Sequence, residues 1–183
     1  LKLVMALEGG DTAGVLEEYA DLAALGTVAD VVPVLGENRA IVKAGLRILA
    51  QGGRAGVDAL MEESGMGGKA ATATSLAFTV IPRINATGRM GAPERAVRLL
   101  TCDSFEEASP LSQEICEDND RRREVEAQIA QEAVEKIEKD PALLYSRVIV
   151  VDGEGWHHGV IGIVASRITE RFGKPCMVIS TDG

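Results

Sequence analysis

The chain has 183 residues, a formal net charge of −9, 46% hydrophobic and 3% aromatic residues. That is enough chain for one large domain or two small ones, each with its own core. No stretch approaches the ~20 apolar residues of a membrane span, and residues 1–7 are too short a run, too soon followed by acids, for a signal peptide.

Three scattered cysteines, Cys102, Cys116 and Cys176, make neither a disulfide framework nor a CxxC zinc pair, which predicts a reducing, cytoplasmic setting; without an apolar span, no membrane partner is expected. The overall acidity alone argues against nucleic acid, but the charge is unevenly spread. Residues 1–30 carry one base and six acids, and residues 103–140 carry five bases and thirteen acids. Residues 81–101 carry four arginines against one glutamate, a local basic island. The absence of an initiator Met and a stop just after the apolar run 176–180 predict a piece of a longer protein, with any catalytic set incomplete.

Residues 14–24 predict a helix with Val15, Leu16, Tyr19 and Leu22 as its stripe. A small-residue run follows and ends at Asp30, three positions before Pro33. Asp30 reads either as the cap of the next helix or as a ligand at the C-terminal edge of a sheet, where α/β proteins place their sites. Residues 37–49 predict an amphipathic helix stopped by Gly52 and Gly53, residues 57–63 a short helix, 64–68 a loop and 69–78 a helix of small residues. Residues 79–91 read as a loop that offers Arg83, Asn85, Thr87 and Arg89, freed by Gly88 and Gly91. Arginines on a loop suit bidentate phosphate contacts, and the plain alternative is a solvated surface loop.

A short helix is expected over 93–100, then one long polar helix from Ser104 to about Lys139, opened by a capping box of Ser104 and Glu107. Its thin stripe (Phe105, Ala108, Leu111, Ile115, Val125, Ile129, Ala133, Ile137) predicts a connector across domains. Pro110 breaks it or sits in its first turns. Asn119 and Arg122 fall on the stripe side, whereas Arg121, Arg122 and Arg123 together read as a solvated basic turn. Asp140 and Pro141 end the helix.

A buried strand over 148–151 then leads through a glycine-rich turn into a helix with Val160, Val164, Ile168 and Phe172 on one face, and on to an apolar run at 176–180. Gly153, Gly155, Gly159 and Gly162 let a backbone come close, and the N–H groups of a helix start favour an anion. His157, His158, Ser166 and Arg167 add donors, so the turn reads as a phosphate or carboxylate site or as a tight strand-to-helix connection of small residues. Adjacent histidines without converging cysteines do not make a tetrahedral zinc set. The sequence shows no internal repeat or low-complexity segment.

Three of these stretches, in order, resemble the DHH phosphoesterase superfamily and within it the RecJ-type single-strand-specific 5′ exonucleases. The run from Asp21 to Pro33 followed by Glu37, Asn38 and Arg39 looks like the last metal-ligand motif. Pro82-Arg-Ile-Asn-Ala-Thr-Gly-Arg-Met-Gly91 looks like the segment that follows it. Gly155-Trp-His-His-Gly-Val-Ile-Gly-Ile-Val-Ala-Ser-Arg167 looks like the opening of the DHH-associated domain.

The resemblance implies an α/β fold: the C-terminal part of a DHH domain (residues 1–102), a connecting helix (103–141) and the opening βαβ of the associated nucleic-acid-binding domain (142–183). It implies Asp30 as catalytic residue and ligand of an Mn²⁺ or Mg²⁺ pair. Arg83, Asn85 and Arg89 would line the substrate channel, and His157, Gly159, Ser166 and Arg167 the nucleic-acid face, with the two arginine-bearing stretches facing each other across a groove. Single-stranded DNA is the implied substrate, cut 5′ to 3′ in repair and recombination, with a single-strand-binding protein and a helicase as further partners. The DHH triplet and the other aspartate motifs do not occur in this sequence, so the piece alone is expected to be inactive and not to hold the metals. His158 replaces a proline common in the family. Alternatives of other kinds are a phosphoesterase acting on short oligonucleotides or cyclic dinucleotides, and a non-catalytic nucleic-acid-binding scaffold.

Overall fold

The computed structural model describes residues 1–181. Two compact units share the chain: Leu1–Asn85 with Glu94–Cys116, and Ala86–Pro93 with the chain from Glu117 on.

The first unit is helical. It contains α1 (Lys2–Leu7), α2 (Thr12–Ala29), α3 (Gly36–Gln51), α4 (Ala55–Glu63), the three-residue α5 (Ala73–Ser75), a π-helical turn (Leu76–Val80), most of α6 (Ile81–Arg89), α7 (Pro93–Thr101) and the start of α8 (Phe105–Lys139). Leu25, Leu49, Leu60, Leu76, Val80, Leu99 and Ile115 form its core. The helix pair α2–α3 is drawn close by Gly45, where a Cβ would stand 2.3 Å from the Ala20 carbonyl oxygen. Asp11 caps α2 by accepting from the Gly14 N–H at 3.0 Å, so the helix starts earlier than its apolar stripe suggests. It also runs past residue 24 to Ala29. Asp30 is therefore neither at a sheet edge nor the cap of the next helix; it is the C-cap of α2.

The expected loop over 79–91 is also helical. Pro82, Asn85, Thr87 and Gly88 are poor helix residues, yet Val80, Ile81, Ala86 and Thr87 are buried and tertiary packing holds the helix. Pro82 can give no N–H to the turn before it, and that turn is the π segment, one residue wider per hydrogen-bonded ring than an α turn. Only α5 and the π turn realise the helix expected over 69–78. The Thr72 side chain opens them by accepting from the Ser75 N–H in a capping box.

The rest of α8 belongs to the second unit, with α9 (Pro141–Leu144), β1 (Ile149–Glu154), α10 (His158–Phe172) and β2 (Cys176–Thr181). The strands pair in parallel, Ile149 opposite Cys176 through Glu154 opposite Thr181, around the α10 crossover. One face of this sheet packs on α8 and α10. Ile129, Ala133 and Ile137 meet Ile149, Val151, Trp156, Val160, Val164 and Ile168. The Ser104 hydroxyl caps α8 by accepting from the Glu107 N–H at 3.2 Å. Pro110 leaves the helix unbroken; it is exposed, so water can serve the carbonyl it fails to bond. Nor do the three arginines interrupt it. Arg121 and Arg123 are solvated, whereas the Arg122 side chain is only 13% exposed. Asp140 stops α8 and caps α9 through the Ala142 N–H.

Candidate nucleic-acid interface

In the first unit the residues of interest gather around the C-terminal end of α2. Asp30 is exposed there. A carboxylate beside the negative end of a helix macrodipole is unfavourable for stability. The next residue, Val31, has φ +54°, a left-handed conformation that a β-branched residue takes only under strain. The strain completes a Schellman turn. Val32 N–H donates to the Thr27 carbonyl and Val31 N–H to that of Val28, each at 3.2 Å, at a position where glycine is usual. Asn85 is exposed and borders an apolar hollow of about 310 Å³ together with Leu22, Leu25, Gly26 and Ala29 of α2 and Ile81, Ile84 and Leu100. The helix, not a flexible loop, thus brings Asn85 toward the α2 end that carries Asp30. Arg83 is half-buried and turned inward: its Nη1 donates to the Thr79 carbonyl and its Nε to Cys116 Sγ at 3.2 Å.

Among the described residues no three His, Cys, Asp or Glu side chains converge as a metal cage. Two-metal chemistry needs several hard oxygen donors, and this chain offers Asp30 as one exposed carboxylate. The donors present among the described residues do not by themselves fit a metal pair.

The second unit brings Arg89, His157, Gly159, Ser166 and Arg167 together. The last residue of α6, Arg89, donates from Nη1 to the Gly159 carbonyl at 3.0 Å. Gly159 is glycine for closeness: a Cβ there would stand 2.2 Å from the Arg89 carbonyl oxygen. So Arg89 and Gly159 touch, with no groove between them. His157 caps α10, its Nδ1 accepting from the Gly159 N–H at 3.1 Å. That consumes one N–H on which an anion site would depend, and it leaves Nε2 as the protonated nitrogen of the neutral ring. His158, at the first position of α10, is exposed.

Gly159 and Ser166 lie seven residues apart, nearly two full turns, and so share a face of α10. Gly162, on the same side, has nothing within 4 Å of where its Cβ would be. The Ser166 hydroxyl donates to the Gly162 carbonyl at 3.3 Å and stays exposed. Arg167 follows, its side chain 58% exposed and its Nε 2.6 Å from Glu126 Oε1. The surface is a slim, small-residue helix face with a guanidinium at each end. Such a face admits a sugar-phosphate backbone closely, and each guanidinium keeps N–H donors for phosphate oxygens.

Two features of this unit escape a reading of the sequence. The turn 153–157 is locked by Trp156, which is 4% exposed, lies over Gly153 and donates from Nε1 to Glu132 at 2.8 Å. Glu126, 1% exposed, is a buried acid in a helix whose other acids are mostly solvated. Its spacing of four from Arg122 was the available signal.

No family model matches the chain. In sequence it is 39% identical over 166 residues to the single-stranded-DNA-specific exonuclease RecJ of Bacillus subtilis, which covers 91% of this chain and 21% of that protein. The RecJ of Escherichia coli is 40% identical over 172 residues, 92% of this chain and 30% of that one. Among solved structures, RecJ of Thermus thermophilus in complex with Mg²⁺ superposes with a TM-score of 0.84 at 38% identity, over 96% of this chain and 27% of that one. An exonuclease RecJ bound to manganese gives 0.79 at 39% identity, over 90% and 40% of the two chains. The chain spans well under half the length of each of these relatives. In sequence and in fold alike, then, the chain is similar over nearly all its length to one stretch of the RecJ exonucleases, as its three motifs led one to expect.

Proposed function

We propose that the chain is part of a metal-dependent exonuclease that hydrolyses single-stranded DNA from the 5′ end, in the cytoplasm, in repair and recombination. Its own share of the work is to hold the strand. The first unit corresponds in this reading to the C-terminal part of the DHH domain and the second to the opening of the associated domain. The observation that carries it is the α10 face of small residues bounded by two guanidiniums, each tied to protein through a single nitrogen: Arg89 on Gly159 and Arg167 on Glu126. Phosphate contacts of this kind fix the position of a strand without reading its sequence. Gly159 seats Arg89 at the start of this face, Gly162 and Ser166 let the backbone approach beyond it, and His157 offers Nε2–H at the start of the helix.

Asp30 supplies one ligand to a metal pair completed by carboxylates and histidines outside this chain. Its exposure, its unfavourable place at a helix C-terminus and the strained residue beside it are all features that stability alone does not select. Asn85, over the hollow beside α2, contacts the strand near the reacting end, and Arg83 braces α6 through Thr79 and Cys116. A single-strand-binding protein and a helicase are the macromolecular partners of the parent.

The test uses the 183-residue chain and a 5′-phosphorylated oligodeoxynucleotide with Mn²⁺. Binding without hydrolysis is expected, weak and with a shallow salt dependence because few phosphates are engaged. Arg89→Ala should weaken binding several-fold with little change in melting temperature. Degradation of the oligonucleotide by the chain alone would overturn the assignment of the chemistry to residues outside it, and unchanged binding by Arg89→Ala would overturn the holding face.

A further inference from the structure

Glu126 projects from α8 into the second unit with its side chain 2% exposed. A buried carboxylate is costly unless a cation meets it. Arg122, one turn earlier on the same helix, already does so: its Nη1 donates to Glu126 Oε2, and its Nη2 donates to Asn119 Oδ1 at 2.8 Å. Asn119 is itself 2% exposed, so this end of the network is closed off from water. One arginine neutralises one carboxylate, yet a second approaches. Arg167 Nε stands 2.6 Å from Glu126 Oε1, an oxygen that takes no well-directed hydrogen bond from any described residue. The contact is thus an ion pair off the ideal hydrogen-bond line. The cluster of two guanidiniums and one carboxylate carries a surplus positive charge, and the surplus lies at its exposed end, on Arg167.

We propose that Glu126 is a positioning residue for nucleic-acid binding: it grips Arg167 by the Nε edge and so turns the two Nη groups toward phosphate oxygens on the α10 face. This rests on the strand-holding role proposed above and adds the group that sets its geometry. A guanidinium is a planar fork, and fixing one edge leaves the other two donors oriented together. Without the anchor the side chain has several rotatable bonds to order before it can bind, a cost that falls on the affinity. The sign of the effect separates positioning from plain electrostatics. Removing a negative charge beside a DNA-binding face should tighten binding if charge alone counts; removing an anchor should loosen it.

The experiment measures anisotropy of a fluorescein-labelled 5′-phosphorylated oligothymidylate with the 183-residue chain and its E126Q, R167A and R167K variants. In parallel, ¹⁵N NMR relaxation reads the mobility of the Arg167 Nε–H. The expectation is a 3- to 10-fold weaker Kd for E126Q despite the lost negative charge, a similar loss for R167A, no further loss when the two are combined, and an Nε–H that is ordered in the parent and mobile in E126Q. If E126Q does not fold, R167K decides: it keeps the charge and loses the Nε–H, and must bind 3- to 10-fold more weakly. E126Q or R167K binding as tightly as the parent, or the E126Q loss persisting at full size in R167A, overturns the proposal. An Nε–H as mobile as that of a free side chain in a chain that does bind overturns the anchor itself. An ordered Nε–H in a chain that binds no DNA overturns the strand-holding role instead, and with it the purpose given to the anchor.

Discussion

Gly159→Ala tests the seam on which the holding face is built. The added Cβ would fall 2.2 Å from the Arg89 carbonyl oxygen, 3.0 Å from its carbon and 3.1 Å from its Cα. All three are backbone atoms, so no side-chain rotation relieves the clash, and the end of α6 must move from the start of α10. Overpacking of this kind costs about 1–3 kcal/mol. The shift also stretches the 3.0 Å bond from Arg89 Nη1 to the Gly159 carbonyl; being exposed, that bond adds only about 0.5–1 kcal/mol. Replacing glycine by alanine in a helix returns up to about 1 kcal/mol, less in the first turn where Gly159 sits.

The net expectation is a loss of about 2 kcal/mol, or a fall of roughly 4–8 °C in melting temperature for a chain of this size. Gly162→Ala is the internal control. It is the same change three residues along the same helix, where nothing lies within 4 Å, so it should gain about 0.5–1 kcal/mol. Far-UV circular dichroism melts of the two variants check both signs. Equal melting temperatures for Gly159→Ala and Gly162→Ala would show that α6 and α10 are not in contact at this point.

Val31→Gly should stabilise the first unit by about 1 kcal/mol, because glycine takes the φ of +54° without strain, less what its freer unfolded chain costs; a thermal melt that drops would refute the Schellman assignment. Asp21→Ala should cost about 1–3 kcal/mol. The Asp21 carboxylate is 3% exposed and takes the Arg54 Nε at 2.8 Å, while Arg54 at 23% exposure keeps part of its hydration, which holds the loss below that of a fully buried pair. Urea unfolding with near-parental stability would count against it. Burial pushes the Cys176 thiol up, and burial with Glu107 nearby does the same for Cys102. The folded chain therefore favours both protonated thiols. Their contribution to stability is present below the ordinary thiol pKa and is lost as pH rises through the raised values. Both should react with iodoacetamide more slowly than free cysteine at pH 8, and equal rates would contradict the burial.

The helix over 79–89 shows where local reading ends. Pro82, Asn85, Thr87 and Gly88 are poor helix residues, and the stretch folds as a π turn and a helix because Leu76, Val80, Ile81 and Ala86 have a core to enter. Only that fold could show that Arg83 points inward while Asn85 and Arg89 stay exposed, one helical turn apart. Asp30 is similar: its place after a small-residue run suggests a sheet edge, and the hydrogen bonds of Val31 and Val32 make it a helix end.

What the sequence determined by itself is whatever rests on periodicity and on chemical type. The long helix with its Ser104 cap, the stop at Asp140 and Pro141, the βαβ unit and the three motifs shared with RecJ exonucleases were all legible there. Tertiary structure alone decided which polar groups are spoken for. His157 takes up one N–H of the helix start, Gly159 lies against the backbone of Arg89, and Glu126 is buried between two arginines. The physical reason is that a donor's availability depends on its neighbours in space. The partners of these groups lie up to 70 residues away in the chain.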